Sequence, residues 1–180
     1  MKDQEIIQLL TDTFEYNHSV DLLTNKHKNR RKQLMINCLS LAKRYGAITF
    51  NENAVALSVF PEKKQNRLFT WKQTVHLASR VIPLSKLRLI KERELYIKSI
   101  HPKEKCWYIY FIGVRKNLKR SGYGKGLLDQ IESEAKKEQR TIILETSNPE
   151  SLQFYLHLGF ELYHEWKWEK VDFTLWFLKK

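Results

Sequence analysis

Residues 107–128 read WYIYFIGVRKNLKRSGYGKGLL, and this stretch decides the fold. Trp107 to Val114 is a continuous apolar run rich in aromatic and β-branched residues, the composition of a strand buried on both faces. It breaks into a basic, glycine-dotted segment. Apolar residues then recur at Leu127, Leu128, Ile131 and Ala135, with Asp129, Glu132, Lys136 and Lys137 between them, which is the spacing of a helix with one buried face. Strand, loop and amphipathic helix follow in that order.

The loop itself is Lys119-Arg120-Ser121-Gly122-Tyr123-Gly124-Lys125. Four of the six glycines of the chain lie between Gly113 and Gly126, so the clustering needs a cause. Gly122 and Gly124 let the backbone approach a ligand closely. Successive N–H groups at a helix start form an anion site, and Lys119, Arg120 and Lys125 add positive charge. A phosphate or pyrophosphate is the natural guest. An ATP-type loop needs Gly-Lys followed by Ser or Thr, but Gly126 follows Gly124-Lys125. A dinucleotide loop needs G-x-G-x-x-G, whereas these glycines run G-x-G-x-G. Glu145 does lie about 20 residues on, where a ribose-binding acid belongs. The chain does not go on to alternate strand and helix, however, which ranks that reading low. A purely structural glycine turn is the bland alternative, and the basicity of the loop argues against it.

Outward from this core, Thr141 to Thr146 reads as a second buried strand. Asn148-Pro149-Glu150 turns into a short helix ending at Gly159. Phe160 to Trp168 and Val171 to Leu178 read as an antiparallel pair. Upstream, Ile6, Leu9, Leu10 and Phe14 mark a first helix, and Asn17 to Asn25 breaks the pattern. A longer helix carries Leu34, Met35, Cys38, Leu39, Ala42 and Tyr45, and Gly46 stops it. Ala47 to Asn51 and Ala54 to Phe60 read as a hairpin. Arg67 to Arg80 and Lys86 to Ser99 read as helical, separated by Pro83. The order predicts an α/β domain with a mixed central sheet flanked by helices, one domain over residues 1–180.

Bulk properties narrow the classes. The chain has 180 residues and a formal net charge of +12. Such a charge attracts nucleic acid, an acidic membrane surface or a phosphate-rich cofactor. No apolar stretch is long enough to cross a bilayer, and Met1 to Gln8 lacks a signal region, so a cytoplasmic protein is expected. The sequon Asn17-His18-Ser19 then carries no meaning. Cys38 and Cys106 read as reduced packing residues, and no histidine or cysteine spacing fits a zinc site, so no metal is expected. The run Lys26, Lys28, Arg30, Arg31, Lys32 reads as a solvated helix start.

The run Val114 to Leu128, within segment 107–138, resembles motif A of the GNAT superfamily of N-acetyltransferases. Lys119 stands at that motif's Arg/Gln place, and Arg120 replaces a frequent glycine. Segment 141–160, with Asn148-Pro149-Glu150-Ser151-Leu152-Gln153-Phe154-Tyr155 and Gly159-Phe160, resembles motif B. A narrower similarity is to the puromycin N-acetyltransferase branch. It rests on His101 to Glu104, Trp107-Tyr108, Ile112-Gly113-Val114, Leu144 to Ser147 and Phe154 to Phe160. One departure concerns the N-terminus, where family members place a strand before the first helix and this chain places helix.

The resemblance implies a GNAT fold with splayed central strands and acetyl-CoA as co-substrate. Backbone N–H groups from Arg120 to Lys125, through Ser121, Gly122, Tyr123 and Gly124, would cradle the pyrophosphate, and Lys119 at the start of the loop would also bind the cofactor. Ile112, Gly113 and Val114 would pair with the pantetheine arm as an added strand. Gly113 suits a bulge that opens the slot, and a backbone N–H near it would polarise the thioester carbonyl. Tyr155 takes the place of a general acid for the leaving thiolate; a packing tyrosine is the alternative. Asn148 contacts the cofactor arm or caps its helix, and Ser151 lies beside it. For the base, Glu145 is the first candidate, since a buried carboxylate has a raised pKa. Tyr110 and His101 follow, and a water chain would also serve. The acceptor implied is a primary amine, most simply of a small molecule, met by a monomer or homodimer. Two rivals stand beside this reading. One is a basic nucleic-acid-binding module using Lys26 to Lys32, Trp166 and Trp168. The other is an acyl-CoA-binding GNAT fold without catalysis.

Overall fold

The computed structural model describes residues 1–63 and 66–180. Three helices come first: α1 (Asp3–Thr13), α2 (His18–Thr24) and α3 (Lys28–Tyr45). α1 buries Ile6, Leu9 and Leu10, and α3 buries Leu34, Met35, Cys38, Leu39 and Ala42. α2 lies where the sequence pattern breaks. It is only seven residues long, too short to display a period, and is set by its ends. Asn17 Oδ1 accepts from the Val20 N–H at 3.0 Å, and Asn25 closes the helix in the left-handed region at φ 54°. The asparagine of the sequon is therefore a helix cap. Arg31 departs from a solvated helix start: it is buried, with Nε donating to the Thr11 carbonyl at 2.8 Å.

The hairpin follows as β1 (Gly46–Phe50) and β2 (Ala54–Val59), antiparallel, with Ile48 opposite Leu57. Gly46 ends α3 with an extended φ of −153°, so it is not a left-handed cap. Glycine is required there because a Cβ would lie 1.9 Å from the Ser58 carbonyl oxygen on the facing strand. α4 (Arg67–His76) widens into a π-turn at Leu77–Val81, and α5 (Leu87–Ile100) begins beyond Pro83.

The second half follows the order read from the sequence: β3 (Cys106–Val114), α6 (Tyr123–Lys137), β4 (Thr141–Thr146), α7 (Pro149–His157), β5 (Glu161–Lys167) and β6 (Thr174–Lys179). The six strands form one mixed sheet in the order β1-β2-β3-β4-β6-β5. As the sequence implies, the described chain opens on α1, and the sheet begins only after three helices.

The two sides of the sheet differ. α6 and α7 pack on one, where Leu127, Leu128, Ile131 and Tyr155 meet Trp107, Ile109, Ile142, Leu144 and Leu178. On the other, the α1–α3 layer covers Val55 and Leu57, and α5 sets Ile97 against Leu175 and Phe177. The basic nucleic-acid reading loses its aromatic platform here. Trp168 is buried, and Trp166 stacks between Tyr96 at 3.9 Å and Trp168 at 4.6 Å.

Candidate active site

β3 and β4 are parallel, yet they pair only from Cys106 opposite Thr141 to Tyr108 opposite Ile143. Beyond that, β3 stays with β2 as far as Val114, while β4 stays with β6 as far as Thr146. The sheet is therefore slit in its middle. The divergence begins at a bulge: Ser58 faces Ile109 and Leu57 faces Phe111, so Tyr110 has no partner. Alternation fails there. Trp107 and Ile109 face α6, whereas Phe111 packs edge-on against Phe14 of the α1 side, ring centroids 4.8 Å apart.

The sequence reading placed this bulge at Gly113, and the structure corrects it to Tyr110. Gly113 has another cause. A Cβ there would stand 3.0 Å from Leu10 Cδ2, 3.2 Å from Leu9 Cδ2 and 3.3 Å from Thr13 Cγ2. Only a residue without a side chain lets α1 lie this close over β3. Thr13 Oγ1 also donates to the Val114 carbonyl at 3.2 Å, tying α1 to the strand end. Ile112 and Val114 turn toward the α6 side.

A cavity of about 270 Å³ occupies the slit and extends under α2, α3 and α5. Glu145 and Tyr155 both line it, from opposite sides of the sheet. Glu145 is the register partner of Phe177, so it shares the α5 side. Its Oε1 accepts from the Tyr108 hydroxyl at 2.5 Å, and its Oε2 is shut from solvent with no hydrogen-bond partner among the described residues. Burial raises its carboxyl pKa to about 7, against the opposing pull of Arg93 and the Tyr108 hydrogen bond. A carboxylate at that value takes up a proton near neutral pH. His101 packs on the Tyr108 ring at 4.5 Å, and burial drops it to about 4, which makes it a weak proton acceptor. Tyr110 is part-exposed as a residue while its phenol end is desolvated, which holds it above the usual phenol range as a neutral donor.

Tyr155 sits on α7, its ring packed against Phe154 and Phe160 with centroids 5.4 and 5.5 Å away. Its hydroxyl has no hydrogen-bond partner among the described residues and is not shut from solvent. Packing of the ring and availability of the hydroxyl are thus compatible. Burial raises its pKa, which keeps the proton on oxygen.

The glycine loop leads into α6 through two left-handed residues, Arg120 at φ 66° and Gly122 at φ 83°. The first helical bond runs from the Gly126 N–H to the Gly122 carbonyl at 2.9 Å, and no side chain caps the helix. The N–H groups of Tyr123, Gly124 and Lys125 precede that bond and are left as free donors. No acidic residue occupies the first turn. Lys119, Arg120, Ser121 and Lys125 are exposed around them. Arg120 and Lys125 reach only exposed acids, Glu150 at 3.9 Å and Asp129 at 2.7 Å. Lys116, three residues before the loop, turns away to Glu15 at 2.6 Å. On α7, Asn148 Oδ1 accepts from the Glu150 and Ser151 N–H groups at 2.8 and 3.1 Å, so its oxygen is a cap, and Ser151 lines the cavity.

Sequence reasoning missed Arg93, Glu94 and Asn37, which also line the cavity. Arg93 is buried, with Nη1 donating to Glu94 Oε1 at 2.5 Å and Nη2 to Ser19 Oγ at 2.7 Å. A signal was present. Arg93 shares the helical face of Ile90 and Ile97, and a charge on an apolar stripe is buried for a reason.

Comparison with known proteins agrees with this arrangement. Residues 86–160 match the model of the Acetyltransferase (GNAT) family. No curated protein matches the sequence. A solved structure from Corynebacterium glutamicum, described as histone acetyltransferase HPA2 and related acetyltransferase, superposes with a TM-score of 0.69 at 17% identity, over 99% of this chain and 90% of that one. A mosquito arylalkylamine N-acetyltransferase like 5b gives 0.57 at 12% identity, covering 98% and 95%. A polyamine N-acetyltransferase of Drosophila melanogaster gives 0.57 at 11%, covering 100% and 96%. At these identities the likeness is one of fold.

Proposed function

We propose that this chain, whose residues 86–160 belong to the GNAT acetyltransferase family, moves an acetyl group from acetyl-CoA directly to a primary amine of a small molecule. One observation carries the reading: the cavity passes through the slit sheet with a free tyrosine hydroxyl on one side and a buried carboxylate on the other. The free N–H groups of Tyr123, Gly124 and Lys125 suit a pyrophosphate, with Lys119, Arg120, Ser121 and Gly122 around it. The unpaired edge of β3, with Ile112, Gly113 and Val114, suits the pantetheine arm, and Asn148 and Ser151 flank its path.

The roles follow from position. The Glu145 carboxylate, which lines the cavity, receives the proton of the incoming ammonium, leaving a neutral nitrogen to attack the thioester carbon. Backbone N–H groups of the β3 edge hold the carbonyl oxygen. Tyr155 Oη gives its proton to the sulfur as the carbon–sulfur bond breaks, and the phenolate so formed takes the surplus proton from the acylated nitrogen, which leaves the neutral amide, the free thiol and a neutral Tyr155. A cavity this small favours a small acceptor over a folded protein surface. The sequence similarity to the puromycin N-acetyltransferase branch, and the amine substrates in the names of two fold relatives, support the same class.

The test is calorimetry with CoA on the wild type and on Gly124→Glu. A Cβ at Gly124 has room, 3.6 Å from Val114 Cγ2 and 3.7 Å from Phe154 Cζ. The new carboxylate enters the anion site without a forced change in packing. Wild-type binding lost by about a hundredfold or more in the variant supports the reading; equal binding by both ends the loop's role. CoA binding with no acetyl transfer to any amine would leave a coenzyme-binding fold without catalysis.

A further inference from the structure

We propose that the acceptor is a primary amine with a single positive charge and an apolar body, and that Glu94 selects it. This rests on the acetyl-transfer reading above and deepens it. The charged side chains of the cavity are gathered in one place. Glu94 and Arg93 are in contact, and each acts electrostatically on Glu145. Glu94 also acts on both Tyr108 and Tyr110. That end holds two carboxylates against one guanidinium, in a protein whose formal net charge is +12. It is a local acid site in a basic molecule, suited to a cation. Glu94 is the more exposed of the two, and Glu145 is only part-exposed with one carboxylate oxygen shut in, so an ammonium meets Glu94 first and Glu145 second.

The remaining wall has the opposite character. Phe14, Val20, Leu23, Leu34, Ile82 and Ile90 line it. Three polar residues of that helix layer also line it: Asn17 and Ser19 are engaged, with Val20 N–H and Arg93, while Asn37 Oδ1 is buried without a partner among the described residues. It is neutral and accepts one hydrogen bond, as from a hydroxyl or ring N–H on the acceptor. A linear polyamine would lay its second ammonium against this apolar wall, desolvated and without a counter-charge. An aryl- or alkylamine lays hydrocarbon there. The cavity thus separates the two acceptor types found among the fold relatives.

The experiment measures acetyl transfer by thiol release for phenethylamine and for putrescine, with CoA affinity measured on the same samples. Wild type, Glu94→Gln and Leu23→Glu are compared. The wild type is expected to favour phenethylamine by about tenfold or more in kcat/KM. Assayed well above pH 7, where Glu145 is ionised in both proteins, Glu94→Gln raises the phenethylamine KM by about tenfold with kcat little changed, because it removes binding common to ground and transition states. Its acetyl-CoA KM stays constant, which a folding defect would not allow. Leu23→Glu adds an acid to the apolar wall and shifts the ratio toward putrescine. Preference of the wild type for putrescine would overturn the proposal. So would an unchanged phenethylamine KM in Glu94→Gln, or CoA binding with neither amine accepted. Loss of CoA binding in the wild type would instead remove the acetyl-transfer reading beneath it.

Discussion

The proposed cofactor side of the sheet and the proposed acceptor side draw on the chain in different ways. On the α6–α7 side, the β3 edge, the glycine loop, the N-terminus of α6 and Tyr155 all fall between Ile112 and Tyr155. On the other side, the cavity takes Phe14 after α1, Val20 and Leu23 from α2, Leu34 and Asn37 from α3, Arg93 and Glu94 from α5, and Glu145 from β4. One half is a local motif whose backbone N–H groups are the proposed cofactor ligands. The other is assembled by packing from separated helices, so its specificity can change without touching the first. Substitutions on one side should therefore leave the other side's ligand alone.

The largest expected effect breaks chemistry while sparing both ligands. Tyr155→Phe keeps the ring contacts to Phe154 and Phe160 and removes only a hydroxyl without a protein partner. The kcat should fall by about a hundredfold, with CoA affinity and amine KM unchanged; a kcat within twofold, by that same scale, reduces Tyr155 to packing. Glu145→Gln comes next. Its carboxyl stands at about 7, so wild-type kcat/KM should rise as pH passes through that value and level off above it. Arg93, Glu94, Tyr108 and Tyr163 are the titratable groups acting on or near it. The variant should lose that rise and about tenfold or more in rate at high pH. Stability moves the other way. A folded pKa raised above the ordinary 4.5 means the wild type loses stability as pH climbs from about 4.5 to about 7. Glu145→Gln should accordingly melt higher than wild type at pH 8 and show no such gain at pH 4, by calorimetry at the two pH values. An unchanged melting difference across that range would place the carboxyl at its ordinary pKa.

The same contrast accounts for what the sequence disclosed. β4 was legible at both ends, and α6 was legible from Leu127, Leu128, Ile131 and Ala135, because local period and glycine chemistry suffice there. The bulge at Tyr110 was not, because a run apolar on both faces hides a break in alternation. Gly113 and Gly46 were marked as special, but their causes lie across the fold: α1 over β3 for one, the Ser58 carbonyl for the other. α2 was hidden because seven residues fixed by an asparagine at each end show no period. Glu145 was found from its strand, whereas Glu94 was not, since only the packing of α5 against Leu175 and Phe177 of β6 brings the two acids to one cavity.

A smaller effect probes how firmly α1 is pressed onto the slit. Gly113→Ala sets a methyl 3.0 Å from Leu10 Cδ2 and 3.2 Å from Leu9 Cδ2, so α1 must give. A loss of about 1–2 kcal/mol is expected by chemical unfolding. Because α1 leads into Phe14 and the acceptor wall, the amine KM should rise while CoA affinity holds. A larger change in CoA affinity than in amine KM would show that the β3 edge, rather than α1, yields to the methyl.

The smallest effect concerns Asn148, where the two sides of the argument meet in one side chain. Its oxygen is already committed, accepting from Glu150 and Ser151 at 2.8 and 3.1 Å. Only Nδ2 is left to reach the pantetheine arm. Asn148→Asp preserves the capping oxygen and replaces that donor with an acceptor; Asn148→Ala removes both. The alanine variant should therefore lose about 1 kcal/mol of stability, and the aspartate variant should keep it. Both should weaken CoA by a few-fold, the aspartate at least as much as the alanine, since it puts an unmatched negative charge beside the arm. If the aspartate variant binds CoA as the wild type does, Asn148 holds α7 in place and takes no part in recognising the cofactor.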